Sequence, residues 1–382
     1  MAAPATTGLL RTKVAEMEIG DYIKCGLQVN PSRIFNHLGK IDELNDGAGI
    51  NKEMPLTGLT YSSNGVDAHI GYFYFIKVSK GLLIADRICL TGQTGSWNDL
   101  NKTKHIEGVP WNSGNNIPVM TSNTVPSGLA SASSEWVGQP AFKAFDGNIS
   151  NAGNAWVTNS TIGGWLQYDF PEPRVITGYA VCPQISNLLR SPKDWTFEAW
   201  DETESRWVIL DQRIGIIGWA SNAFMNFSFA NKKVYSKYRI NVSANSGDAT
   251  YLSIQEMQLF EVSGVIRTLT GGVAFADSEG NKALTEQNPP QGAWPTNNEW
   301  DRYITKYPES RIQEGKTLND IFHFAECMTW TQDTGSDGIS SGSAARRVIR
   351  GGSNGVAFYN TYSSDNANIQ VGFRPVLEYK EV

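Results

Sequence analysis

The chain has 382 residues, a formal net charge of -6, 18% charged and 40% hydrophobic residues. Its aromatic content excludes intrinsic disorder, the lack of any run of ~18 apolar residues excludes a transmembrane helix, and the negative balance leaves no electrostatic footprint for nucleic acid. At roughly 150 residues per domain the length suggests two or three domains; 37 Gly with 12 Trp, 14 Tyr and 16 Phe favour short strands joined by tight turns.

In chain order, residues 1–20 carry no apolar run of the secretory type, so no signal peptide is read. Residues 18–25 read as a strand and 42–50 as a Gly-rich loop, within a segment 1–60 assigned to attachment or oligomerisation. Residues 71–87 (GYFYFIKVSKGLLIADR) read as paired strands, and Ser96-Trp97-Asn98-Asp99 as the start of a helix. A polar joint with Pro and Gly spans 113–128, and a second lies near 261–270. Between them strands are expected at 164–170, 174–182, 195–200, 238–242 and 256–262. Strands at such short, regular spacing are the pattern of a sandwich or jelly roll. Downstream, Thr296 with Glu299 three residues on fits a capping box that opens a helix. Cys25, Cys89, Cys182 and Cys327 are far apart and form no CxxC, so they read as buried free thiols. His37, His69, His105 and His323 are too scattered for a metal cluster.

Two ordered motif sets carry resemblances. The first is Pro140-Ala141-Phe142-Lys143-Ala144-Phe145-Asp146-Gly147-Asn148, Trp156, Trp165-Leu166-Gln167-Tyr168-Asp169-Phe170, Arg190-Ser191-Pro192-Lys193-Asp194-Trp195, Trp207 and Ile254-Gln255-Glu256-Met257-Gln258-Leu259-Phe260. It resembles the discoidin family, the coagulation-factor 5/8 C-type or galactose-binding-like jelly roll, over 121–262. The second is Pro295-Thr296-Asn297-Asn298-Glu299-Trp300, Trp330-Thr331-Gln332-Asp333, Arg347-Val348-Ile349-Arg350-Gly351-Gly352-Ser353 and Gly372-Phe373-Arg374. It resembles the formylglycine-generating-enzyme-like branch of the C-type lectin fold. The expected fold class is therefore mainly β with an α+β part. A discoidin-like β-sandwich jelly roll (121–262) is inserted into a C-type-lectin-like α+β domain made of 61–115 and 265–382. Insertion at an exposed tip is well tolerated when the termini are close.

The discoidin resemblance implies a structural Ca²⁺ held by Asp146, Asn148 and Glu256; an ion-free Asx turn is the alternative. Sugar binding needs aromatic faces and planar polar groups, and Trp136, Arg190, Trp219, Asn222 and Phe224 lie in expected loops of this module. Trp219 and Phe224 stay open between binding and packing. Trp156, Trp165, Trp195 and Trp207 align with core positions. The last loop, 354–370 (NGVAFYNTYSSDNANIQ), is rich in the Tyr, Ser and Asn that recognition loops favour. Its candidates are Tyr359, Asn360, Tyr362, Ser364, Asn366 and Asn368; an ordinary surface loop is the alternative. Arg350 and Arg374 are expected to tie loops together.

The enzyme reading lacks chemistry. Catalytic relatives of the lectin-like branch need a cysteine pair near the final Gly-Phe-Arg or clustered imidazoles, and neither is present. The inserted-module pattern is similar to phage tail proteins of the tropism-determinant type. That resemblance implies a non-catalytic receptor-binding or adhesin subunit of a phage tail or contractile injection particle, assembled in the cytoplasm and recognising host cell-surface glycans. Its expected partners are a surface glycan or receptor and other tail proteins, with no membrane insertion and a homo-oligomer, a trimer by analogy. The alternatives are a glycan-acting or oxidative enzyme with an accessory binding module, and a purely structural tail protein.

Overall fold

The structure, a computed structural model, describes residues 3–29, 33–39, 51–60, 69–336 and 346–381; the loop expected at 42–50 lies outside them. Successive side chains of a strand point to opposite faces, and strand Gly164–Arg174 shows the consequence. Leu166, Tyr168 and Phe170 are buried, while Trp165, Gln167 and Asp169 between them are only partly covered. The same alternation in Pro192–Asp201 and Tyr235–Asn245 turns Trp195, Phe197, Tyr238 and Ile240 to one side. Five antiparallel strands result, in the order Arg206–Arg213, Pro192–Asp201, Tyr235–Asn245, Gly164–Arg174, Leu129–Ala132. A second antiparallel sheet orders Met225–Ser228, Gly178–Cys182 and Glu256–Phe260. Its Tyr179, Val181, Phe227, Met257 and Leu259 join the same core, each buried side chain contributing roughly 1.5–3 kcal/mol. Tyr179 stacks on Phe197 at 4.3 Å, and Trp195 Nε1 donates to Tyr179 Oη at 2.7 Å.

Two tryptophans depart from expectation. Trp165 and Trp207 are half-buried rather than core, because strand parity puts them on the outer face of the five-stranded sheet. Trp156 and Trp195 are fully buried.

This sandwich belongs to a unit made of Asn112–Ser263 and Lys380–Val382; Met1–Trp111 and Gly264–Tyr379 form another. In that other unit, one sheet orders Leu10–Arg11, Tyr22–Val29, His69–Ser79, Leu82–Ala85, Val376–Tyr379, Ser263–Arg267 and Val109–Asn112. Strand Tyr22–Val29 pairs with His69–Ser79 along its whole length. Within the expected attachment segment 1–60, strand Tyr22–Val29 thus belongs to this sheet, pairing with Leu10–Arg11, Arg33–Asn36 and His69–Ser79. A six-stranded sheet contains Tyr359–Ser363, Arg346–Arg350, Met328–Trp330 and Val371–Phe373. Helix Trp97–Lys102 starts where expected, with Ser96 Oγ accepting from the Asp99 N–H at 3.2 Å. The helix expected from Thr296 instead runs Trp300–Thr305. Glu299 makes no capping box, because its carboxylate accepts from Arg267 (2.6 and 2.8 Å) and the Thr270 N–H (2.9 Å).

Arg350 and Arg374 are fully buried ties. Arg350 donates to both Asp301 oxygens (2.6 and 3.0 Å) and to the carbonyls of Phe358 and Gly271. Arg374 donates to the Ala85 carbonyl (2.8 Å) and Thr329 Oγ1 (3.2 Å). All four cysteines are buried and free. No helix among the described residues is long and apolar enough to cross a membrane.

Candidate functional site

One end of the sandwich gathers side chains from three loops. Before strand Pro192–Asp201 the chain makes a short 3-10 turn, Leu188–Arg190, whose N-cap Asn187 accepts from the Leu189 N–H at 3.1 Å. After strand Tyr235–Asn245 comes Ser246-Gly247-Asp248. Asp248 Oδ1 accepts from the N–H groups of Thr250 (2.8 Å) and Tyr251 (2.9 Å), which locks the loop. Its Oδ2 accepts from Asn187 Nδ2 (3.0 Å) and Arg190 Nε (3.1 Å), so the loop joins the turn before the strand. Burial would raise the Asp248 carboxyl. The two backbone donors and Arg190 outweigh it and hold the group below the usual carboxylate range.

Arg190 lies over the Tyr251 ring at 4.6 Å, and Tyr251 meets Trp136 edge to face at 5.2 Å. Trp136 is 42% exposed at the tip of the third loop, where the left-handed φ of 79° at Gly138 lets the chain turn back and pair Trp136 with Gln139. The result is an aromatic platform with a fixed guanidinium, a carboxylate and an amide at its border. Arg190 and Trp136 stood among the sequence candidates; Tyr251, Asp248 and Asn187 did not. Their only sequence signal is a Gly-Asp turn, and Asp248 meets Arg190 across 58 positions, which no local pattern reveals.

The other candidates of this module separate from that cluster. Trp219 packs against the core near Trp195 (6.3 Å) and donates Nε1 to the Pro192 carbonyl at 2.9 Å. Packing rather than a free binding face therefore accounts for it. Phe224 is half-buried and Asn222 is exposed on a left-handed turn, φ 59°. The same loop exposes Ile214 and Ile217.

Of the three expected Ca²⁺ ligands, two converge. Gly147 (φ 74°) lets the Asp146-Gly147-Asn148 turn fold so that its N–H donates to Glu256 Oε2 at 3.1 Å. Burial, with the Asp146 carboxylate beside it, pushes Glu256 up to about 8. Neither acid pairs with a Lys or Arg among the described residues; Asp146 is instead held by Asn154 Nδ2 (2.8 and 2.9 Å). Two facing carboxylates without a cationic partner suit a hard divalent ion. Asn148 does not fit as the third ligand, since its Oδ1 accepts from Ser150 and Asn151 within the turn. Among the described residues no three acidic, His or Cys side chains converge as metal ligands.

The last loop is in part a strand, Tyr359–Ser363, paired with Arg346–Arg350. Its period of two divides the candidates. Tyr359 is buried against Phe275 (5.0 Å), while Asn360 is exposed and Tyr362 partly so. Ser364 is also buried, its carbonyl accepting from the Asn98 N–H at 2.9 Å. Tyr359 and Ser364 are thus removed from any recognition surface by packing. Asn360 and Tyr362 line a cavity of about 370 Å³ with Cys327, Met328, Gly352 and Gln370. Burial pushes the Cys327 thiol up to about 11, which keeps it protonated at neutral pH. Asn366 and Asn368 form successive Asx turns, accepting from the Asn368 and Gln370 N–H groups, with Asn368 exposed.

No family model matches the chain, and no curated protein does. Solved structures similar to part of it include the family 32 carbohydrate-binding module of C. perfringens NanJ in complex with galactose. That module is 21% identical, with 35% of this chain and 93% of that chain covered and a TM-score of 0.29. The lectin domain of lectinolysin complexed with Lewis b antigen is 20% identical, with coverages of 37% and 99% and a TM-score of 0.30. A Streptococcus pneumoniae fucose-binding module is 16% identical, with coverages of 40% and 99% and a TM-score of 0.31.

Proposed function

We propose that this chain is a non-catalytic recognition protein whose sandwich unit binds a cell-surface glycan. The half-exposed cluster of Trp136, Tyr251 and Arg190 carries the reading. An aromatic face covers the apolar CH side of a pyranose, and planar groups beside it fix hydroxyls. Here Trp136 offers the face, and Arg190, Asp248 and Asn187 offer the planar groups, already braced against one another before any ligand arrives. Bracing of this kind lowers the ordering cost of binding.

The remaining parts of the proposal rest on the sequence resemblance. The unit that holds the final loop is C-type-lectin-like, and the protein is a receptor-binding subunit of a phage tail or related particle, with Asn360 and Tyr362 as a second contact surface. Several copies on one particle would raise avidity by about 10²–10⁴-fold through effective concentration. A structural Ca²⁺ would be held by Asp146 and Glu256, fixing the loop they join.

The test is a glycan array with the intact protein. Wild type is expected to select one class of terminal sugar, and Arg190→Ala and Trp136→Ala to lose about tenfold or more of that binding. Unchanged binding in both folded variants would overturn the loop-end site. Release of products from host cell-wall glycans would overturn the non-catalytic reading.

A further inference from the structure

The outer face of the five-stranded sheet is not the solvated polar face that an alternating strand pattern leads one to expect. The register lines up its outward residues in rows. One row is Thr196, Asn241 and Trp165; the next is Glu198, Arg239 and Gln167; a third begins with the facing pair Trp207 and Trp200 and ends at Asp169, beside Lys237. Three half-buried tryptophans thus share one face with a set of planar amides. Trp165 has no aromatic or cationic ring partner among the described residues. Trp200 and Trp207 meet at 5.5 Å, with Arg239 laid over Trp207 at 3.9 Å.

The charges on this face are matched internally. Glu198 accepts from Arg239 Nε (2.6 Å), Thr196 Oγ1 (2.5 Å) and Asn241 Nδ2 (3.2 Å). Asp169 accepts from Gln167 Nε2 (2.6 Å). Glu198 and Asp169 are balanced in number by Arg239 and Lys237 in these rows, and Asp194 by Arg213 at the cavity beside them, so the groups named here carry no net charge. The face therefore offers rings and hydrogen-bonding groups but selects no ion. At one side Thr196, Asn241, Gln212, Ser243 and Asp194 line an open cavity of about 430 Å³. From the strand of Trp207 to that of Trp165 is three strand spacings, about 14 Å.

We infer that this face is a second binding surface, distinct from the loop-end cluster, and that it takes an extended, uncharged oligosaccharide laid across the strands. Rings cover the apolar faces of successive sugars, and Gln167, Asn241 and Gln212 bond their hydroxyls. The inference rests on the glycan-binding reading of this unit and adds a site for chain length to one for a terminal sugar. Parity explains why the sequence pattern misplaced Trp165: its neighbour Leu166 is the core residue.

The test uses the full chain and neutral gluco- and galacto-oligosaccharides, from monosaccharide to hexasaccharide, titrated calorimetrically. Affinity is expected to rise with length. Trp165→Ala is expected to remove about tenfold at the longest chain and to leave monosaccharide binding unchanged. Gln212→Ala, at the exposed edge, is a milder variant with no packing role, and it should lower the same gain several-fold. Arg190→Ala should show the reverse pattern, losing the monosaccharide while keeping the gain with length. No gain with length, or a gain that survives both Trp165→Ala and Gln212→Ala, overturns this surface. Monosaccharide binding that survives Arg190→Ala, with a Trp165-dependent gain intact, instead overturns the loop-end site.

Discussion

Arg350 with Asp301, and Arg190 with Asp248, are the same chemical pair in two regions of the molecule. The first pair is sealed, with side chains 0% and 4% exposed. The second sits at the border of the Trp136–Tyr251 platform, at 26% and 13%. In the sealed pair every donor of the guanidinium that is used goes to protein oxygen, including two backbone carbonyls, so nothing is left to present. In the open pair Arg190 Nε bonds Asp248 and the guanidinium lies over the Tyr251 ring at 4.6 Å, with no backbone carbonyl among the described residues accepting from it. Burial, more than residue identity, separates an ion pair that holds a fold from one that shapes a surface.

Removing one partner tests that separation most sharply. Arg350→Ala would strand the Asp301 carboxylate in a sealed site, at a cost of about 3–5 kcal/mol. Arg190→Ala leaves a partly open acid that still accepts from Asn187 and two backbone N–H groups, and its effect on stability should be about 0–1 kcal/mol. Urea denaturation of the two variants would show the gap. Equal losses would mean that the loop-end pair is structural as well, and would weaken its assignment to binding.

The next largest effect concerns acids that face one another instead of an arginine. If Asp146 and Glu256 hold Ca²⁺, the ion at 100 times its dissociation constant adds about 2.7 kcal/mol. A chelator should then lower the melting temperature of the wild type and leave Glu256→Gln unaffected. Binding at Trp136 should persist in the chelator while the protein remains folded. A chelator-insensitive melting temperature would assign the pair to an ion-free turn.

These contrasts also show what the sequence made legible. Strand positions came through well, because buried parity is written directly in segments such as Trp165-Leu166-Gln167-Tyr168-Asp169-Phe170. The assignment of parity to faces did not always follow: Trp165 and Trp207 align with core positions of the resembled family, yet Leu166 and Val208 are the residues that point inward. In the last loop the Tyr and Asn content was visible, but the strand within it was not, so Tyr359 and Tyr362 received the same role although adjacent parities separate them. Arg190 could be picked from a motif, whereas Tyr251 and Asp248 depend on long-range closure of the sandwich. Glu299 suited a capping box by spacing alone until Arg267 claimed its carboxylate.

The smallest expected effect is a difference in acid and salt response between the two pairs. Burial opposes ionisation of Asp301, but the Arg350 charge and hydrogen bonds prevail, so its carboxyl sits below the ordinary value of 3.8. Asp248 is shifted in the same direction. A carboxyl lowered in the folded state stabilises above its unfolded value, and that contribution is lost as pH falls through the folded one. Between pH 5 and 7 neither pair should alter stability, and both contributions should decline below about 3.8. Salt should tell them apart: the screening length shrinks to about 3 Å at 1 M, which reaches the partly open Arg190–Asp248 pair and not the sealed one. The acid-induced loss of stability in Asp301→Asn should therefore be shallower than wild type at any salt. That of Asp248→Asn should differ from wild type only at low salt, as read from unfolding midpoints between pH 2 and 5. A salt-sensitive difference for Asp301→Asn would show that water reaches Arg350, and the contrast between a sealed and a presenting pair would fail.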